Sequence, residues 1–94
     1  MTHPTFDRDG YPTEETLQAI REWKEDWRAL FSFLCEAWEY PDRWRRGGDT
    51  YAISTGGWSG NEELIDALRD NAAAWSSCFV SEARGGHYVF KVPA

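Results

Sequence analysis

The sequence has few of the features that cross-link a small protein or anchor it to a membrane. Its two cysteines, Cys35 and Cys78, form no C-x-x-C pair and no Cys/His cluster with zinc-ligand spacing. No apolar run approaches the roughly 20 residues of a transmembrane helix, and the first residues are polar, without the apolar segment of a secretory signal. We therefore expect a reduced, cytoplasmic protein with two buried thiols and no metal, cofactor or membrane partner.

Positive charge is also scarce, since 10 Lys and Arg stand against 16 Asp and Glu, for a net charge of −6. The deficit lies in residues 1–40, which hold nine acids and four bases. Because binding to phosphates requires cations, nucleic acid is an unfavoured partner. The one basic cluster, Arg43 to Arg46, contains a tryptophan and could grip nucleic acid. A solvated loop, or a docking point for an acidic protein, is the favoured interpretation.

Aromatic residues, in contrast, are plentiful. Hydrophobic residues make up 41% of the 94 positions and aromatic residues 16%, including six tryptophans. This composition predicts a single folded domain over residues 1–94, with an irregular N-terminal arm over residues 1–12. Six tryptophans exceed the needs of a modest core, so we expect some of them at an interaction surface.

The first half of the chain has helical periodicity. Apolar residues recur every three or four positions between Leu17 and Trp38, and the tryptophans in that series are interpreted as core. Thr13 precedes two glutamates at a helix start, and Asp26 is placed to cap a second helix. We predict two helical segments, about 13–24 and 26–39, with Pro41 ending the second.

The second half alternates as strands do. Residues 49–54, 75–82 and 87–92 have period-two patterns, and a Gly-Gly turn at 83–86 makes the last two a hairpin. Residues 42–48 are predicted to form a loop. Ser59 and Glu62 have the spacing of a capping box, which predicts a helix from there to about Asn71. The predicted order is α-α-β-α-β-β, an α+β fold with a small three-stranded, mostly antiparallel sheet and its helices on one face.

The stretch from Ser54 to Glu63 joins a strand to a helix through three glycines and Trp58. Backbone N–H groups at such a joint can receive an anion. However, the stretch lacks the Lys-Ser/Thr ending of a P-loop, and Glu62 and Glu63 would repel a phosphate. A structural joint that also contacts a protein is favoured, and a small-ligand or anion site is the alternative.

The glycine stretch and the hairpin turn each end a predicted strand, and two strand pairings remain open. In one pairing they are neighbours, and in the other they lie at opposite ends of the sheet. Neighbouring turns would bring together one candidate binding patch: Trp58, Asn61, Glu62, Arg84, His87 and Tyr88. The simplest outcome there is an ion pair between Arg84 and one of the two glutamates.

A Ser–His–acid set can also be drawn from Ser54 or Ser59 with His87 and Glu62. However, Ser59 is better interpreted as a helix cap, and there is no G-x-S-x-G motif. We therefore assign no catalytic residue.

Two motifs resemble those of small proteins encoded in phage and prophage genomes. They are STGGWSGNE at residues 54–62 and RGGHYVF at residues 84–90, with a weaker likeness over the first helices. The resemblance implies an accessory protein in the cytoplasm of an infected or lysogenic bacterium and implies no reaction. We predict a non-enzymatic protein that binds a host or phage protein, for counter-defence or host takeover, and we expect Trp58 to touch the partner. A ligand-binding domain and a minor virion or assembly component are the alternatives, and self-association stays open.

Overall fold

A computed structural model describes residues 3–93, with Arg43 described by its backbone alone. The elements are α1 (Glu14–Arg21), α2 (Trp27–Ala37), β1 (Arg45–Gly47), β2 (Thr50–Ser54), α3 (Ser59–Asp70), α4 (Ala72–Cys78), β3 (Phe79–Ala83) and β4 (His87–Lys91), with one 3-10 turn (Pro41–Arg43) before β1. The predicted α+β class is confirmed. The first two residues of the predicted arm lie outside the described residues.

The two predicted N-terminal helices form, and each begins at the predicted cap. The Thr13 hydroxyl accepts the N–H of Thr16 at 3.3 Å, and the Asp26 carboxylate accepts the N–H of Ala29 at 3.2 Å. Asp26 has a left-handed backbone, with φ of 59°, which breaks the helical path between α1 and α2. Both helices are shorter than predicted because they end at Arg21 and Ala37.

Within residues 3–93 the sheet has four antiparallel strands in the order β1-β2-β4-β3, not three. The additional strand is β1, inside the stretch that was predicted to be a loop. All three of its residues are exposed, and it has no apolar alternation that would reveal it. It exists because the turn at residues 48–49 folds it back onto β2, where Gly47 lies opposite Thr50.

The strand predicted over residues 75–82 was wrong in its first half, where the chain is helical up to Cys78. The Asn71 side chain caps α4 by accepting the N–H of Ala74 at 3.1 Å. The alanines at 72–74 favour a helix there. Only Phe79–Ala83 is strand, and its register with β4 shifts between Phe79 and Ser81.

The helices cover one face of the sheet, as predicted. Tyr51, Ile53 and Phe90 point toward them, and each is at most 5% exposed. Phe31 of α2 stacks on Tyr51 with ring centroids 4.9 Å apart. Among the tryptophans, Trp38 is buried, and the following pack partly buried against the core: Trp23, Trp27, Trp44 and Trp75.

The opposite face of the sheet consists of the alternate residues of the same strands, and we term it the open face. Residues paired across antiparallel strands share a face, so the registers define it as Arg45, Gly47, Thr50, Ala52, Ser54, Ser81, Ala83, His87, Val89 and Lys91. All ten are half-buried or exposed. The open face includes no aromatic and no acidic residue, and its centre consists of small side chains.

Candidate functional site

The glycine stretch and the hairpin turn are neighbours in the structure, so the strands pair in the arrangement that brings the two turns together. Ser54, at the end of β2, lies opposite His87, at the start of β4. Beyond the strands, the N–H of Thr55 donates to the carbonyl of Gly86 at 3.0 Å. Gly56 and Gly57 both have positive φ, which lets the chain turn from β2 into α3. The two motifs that carry the resemblance therefore meet at one end of the sheet.

A groove of about 510 Å³ opens on the open face at that end. Its lining includes the polar residues Ser54 and His87 and the charged residues Asp42 and Arg45. Ser54 Oγ lies 2.7 Å from His87 Nδ1. Ala52 and Val89 line it between the strands, and Arg45 lies on the β1 side. A hydroxyl, an imidazole and a guanidinium in one shallow groove can hydrogen-bond a polar or anionic group.

The Ser–His–acid set is not assembled in this groove. Within residues 3–93, no carboxylate forms a hydrogen bond or ion pair with His87, and Glu62 lies exposed in the first turn of α3. Without a third group to orient the imidazole and raise its basicity, the serine is not activated in the manner of a triad.

Asn61, one of the six candidate binding residues, is fully buried. Its Oδ1 accepts the N–H of Glu39 at 2.9 Å, and its Nδ2 donates to the carbonyls of Glu39 and Thr55 at 3.0 and 3.1 Å. The side chain thus joins the end of α2 to the glycine stretch. Because it is enclosed and fully bonded, it does not reach the surface, and we leave it out of the binding surface proposed below.

Trp58 is half-buried and stacks on Tyr11 of the N-terminal arm, with ring centroids 5.0 Å apart. Its six-membered ring covers Gly60 so closely that a Cβ at Gly60 would overlap it. The predicted Ser59 cap was wrong, because Trp58 occupies the cap position and no side chain caps α3. The Ser59 hydroxyl instead donates to the Tyr11 hydroxyl at 3.1 Å. Trp58 therefore holds the arm against α3, and its predicted contact with a partner stays a prediction.

Glu62 and Arg84 are both exposed, and the ion pair expected between Arg84 and Glu62 or Glu63 does not form among residues 3–93. The hairpin is linked to α3 by a different pair, in which Arg69 lies 3.3 Å from Glu82. Arg84 is thus left as an exposed cation in the hairpin turn.

Tyr88 lies on the helix-covered side of β4, opposite in direction to His87. Its hydroxyl donates to Glu82 at 3.3 Å. Burial and then the Glu82 carboxylate raise the pKa of Tyr88 above its ordinary value, which keeps the phenol protonated. The six predicted residues therefore do not share one environment. Asn61 is buried, Trp58 stacks on Tyr11, and the Tyr88 side chain faces the helices. Glu62 and Arg84 are exposed in different elements, and His87 lines the groove.

Arg45, Ala52, Val89 and Lys91 were not predicted to share one surface. A signal for the last three was present, because the alternation that assigns their strand neighbours to the core assigns Ala52, Val89 and Lys91 to the other face. Arg45 joins them only through β1, which the sequence pattern did not reveal.

Comparisons with protein-family models, with curated proteins and with solved structures returned no match to this chain. Within residues 3–93, no group of three or more His, Cys, Asp or Glu residues is placed to hold a metal ion. None of the helices in the described part of the chain has the length and apolar character that a membrane span requires.

Proposed function

We propose that this protein is a non-enzymatic accessory protein, of the phage-encoded kind that its two motifs resemble, and that it binds a host or phage protein through the open face. The observation that carries the proposal is the one-sided sheet. The helices bury one face, and the centre of the other face consists of Ala52 and Val89 on the two inner strands.

A solvated sheet face is common in antiparallel proteins, but such a face is usually built from polar side chains. Here the central row runs from Arg45 through Ala52 and Val89 to Ser81, so short and apolar side chains occupy its middle. Short side chains let a second layer approach the backbone closely, as the layers of a domain core do. This composition favours an interface over a surface that only faces water.

The non-enzymatic part of the proposal is supported by the groove. Its serine and histidine are in contact, but among residues 3–93 no acidic residue orients the histidine. The side chains that converge there can bind a group, whereas the relay that activates a serine is incomplete.

The test is affinity capture from lysates of bacterial hosts with the full chain and two matched variants. Ala52→Glu places a longer charged side chain at the centre of the open face. Ala73→Glu makes the same change at an exposed alanine of α4, where a first-turn acid is tolerated. We expect one partner to be retained by the wild type and by Ala73→Glu, and to be lost with Ala52→Glu. A partner retained equally by both variants, or no specific partner at all, would contradict the proposal.

The second candidate function is binding of a small anion in the groove, which the presence of Ser54, His87 and Arg45 in one lining favours and the carboxylate of Asp42 opposes. A ligand that binds only the folded state raises the melting temperature. Thermal-shift measurements with millimolar phosphate, sulfate and carboxylates would test it, with Arg45→Ala as the control that removes the response. No shift at those concentrations argues against it.

A further inference from the structure

The charges of the chain are divided between its two layers. The two segments that form the sheet, residues 44–54 and 79–93, carry four bases and two acids, a net charge of +2. Because the whole chain carries −6, the remaining residues, which include all four helices, carry −8. Asp42 is the acid in the lining of the groove. The sheet is therefore the cationic side of an acidic protein.

Two cations of the open face have fixed places in its pattern. Arg45 lies in the same cross-strand row as Ala52 and Val89, and Lys91 lies two residues beyond Val89. With strands about 4.8 Å apart and a rise of about 3.4 Å per residue, the Cα atoms of Arg45 and Lys91 are about 12 Å apart. The apolar centre of the face lies between them.

These two cations are not neutralised within the protein. The Arg45 guanidinium donates to backbone carbonyls, those of Asp42 at 2.9 Å and Trp44 at 3.4 Å. Neither Arg45 nor Lys91 forms an ion pair with any of residues 3–93. In contrast, each arginine of α1, α2 and α3 has an acidic partner: Arg21, Arg28 and Arg69.

We infer that the open face binds an acidic amphipathic helix of another protein, with carboxylates at Arg45 and Lys91 and small apolar side chains against Ala52 and Val89. This inference rests on the proposed function and specifies the partner. A segment lying on the face of a sheet finds no free backbone groups there, since the strands use theirs in the ladder, and a helix satisfies its own. Carboxylates two helical turns apart are about 11 Å apart, which matches the spacing of the two cations.

A nucleic acid fits the same face less well. Single strands bind proteins by stacking their bases on aromatic side chains, and no position of the open face is aromatic. The choice between an acidic helix and an oligonucleotide is therefore one that a direct competition decides.

The experiment titrates the ¹⁵N-labelled full chain with a synthetic helical peptide of alanine, leucine and glutamate, with glutamates seven residues apart on one face. We expect amide shifts at Ala52, Val89 and their neighbours. A matched peptide with glutamine in place of glutamate should bind about 2- to 30-fold more weakly, the range that two exposed ion pairs contribute. Equal binding of both peptides, or no shifts on the open face at millimolar peptide, would overturn the inference.

A pair of protein variants tests the same point from the other side. Lys91→Glu should weaken binding of the glutamate peptide, and a peptide with lysine at the corresponding glutamate should restore it. Lys24→Glu changes the charge equally at an exposed position between α1 and α2, and should not weaken binding. The inference is wrong if oligothymidylate binds the open face more tightly than the peptide does. It is also wrong if the same shifts appear when the protein alone is concentrated, because the occupant is then a second copy of the chain.

Failure of this inference is distinguishable from failure of the proposed function. If a captured partner is lost with Ala52→Glu but still binds Lys91→Glu and Arg45→Ala, the open face is an interface and the inference of an acidic helix is wrong. If the partner still binds Ala52→Glu, the proposal that the open face is an interface is wrong.

Discussion

Replacement of Asn61 by alanine should destabilise the protein strongly without touching the open face. The side chain is fully buried in the first turn of α3, and it makes three hydrogen bonds to backbone groups of Glu39 and Thr55. Alanine keeps the helix and removes all three bonds. Asn61 is therefore a test of whether a single polar side chain joins α2, the glycine stretch and α3.

The magnitude follows from where the three hydrogen bonds lie. The carbonyl of Thr55 is buried but still accepts the N–H of Trp58 at 3.3 Å, so it loses one of two donors, at a cost of about 0.5–1.5 kcal/mol. The two Glu39 groups lie nearer the surface, where water can replace the amide, and each contributes about 0.5–1.5 kcal/mol. We expect a loss of about 3 kcal/mol, against a total stability of about 5–14 kcal/mol for a chain of this length.

Urea unfolding followed by tryptophan fluorescence measures this loss. With a slope of about 1.5 kcal/mol per molar urea, the midpoint should fall by about 2 M. Glu62→Ala is the matched control, since this neighbouring side chain is exposed and should change stability by less than about 0.5 kcal/mol. A loss below about 1 kcal/mol for Asn61→Ala, or an equal loss for both variants, would refute the reasoning.

Two further predictions concern close packing and buried thiols. Gly60→Ala would ordinarily stabilise a helix by about 1 kcal/mol, but its Cβ overlaps the Trp58 ring. Thermal melts should therefore show destabilisation, and the change should become stabilising in a Trp58→Ala background; a more stable single variant would contradict this. Burial raises the pKa of the Cys78 thiol, and burial and then Glu36 raise that of Cys35, so the folded state holds both protons more tightly. The stabilisation that the two protonated thiols contribute should be fully present below the pKa of an unfolded thiol, about 8.5. It should be lost as the pH rises through the pKa values of the folded state. Iodoacetamide should alkylate the half-buried Cys35 before the buried Cys78, and pH-independent stability between pH 8 and 10 would count against the assignment.

The parts of the fold that were predicted correctly have local physical causes. Thr13 and Asp26 cap their helices with their own side chains. Each capping residue therefore lies only three residues from the N–H group that it caps. The alternation in β2 and β4 predicts which residues face the helices, because one face of each strand is buried against the core. The Gly-Gly turn likewise defines its hairpin from adjacent residues.

The errors arise where distant residues compete with a local pattern. Ser59 and Glu62 have capping-box spacing, but Tyr11 stacks on Trp58 from 47 positions away and takes the Ser59 hydroxyl. The alternation after residue 74 is real, yet the amide of Asn71 both caps α4 and donates to the carbonyls of Ile20 and Trp23. A tertiary contact therefore fixes a helix start that the period-two pattern conceals.

The candidate site was predictable only in part for the same reason. The meeting of the two motifs depends on how β2 and β4 pair, and their sequences permit either arrangement. Once the register is known, the grouping of Ser54 with His87 follows directly. The burial of Asn61 was concealed because a polar residue near glycines also fits an exposed loop.

The division of charge between the layers changes what the net charge of −6 implies about partners. An even distribution would repel any acidic molecule from every direction, and it would favour a basic partner. In this chain the acids are concentrated outside the sheet segments, and screening limits their reach to about 8–10 Å at physiological salt. A partner that approaches the sheet therefore meets Arg45 and Lys91 first, with the helical layer behind the strands. The helical layer would also repel an acidic segment that approached it directly. The division of charge thus favours one orientation for the proposed acidic helix, with the open face toward it.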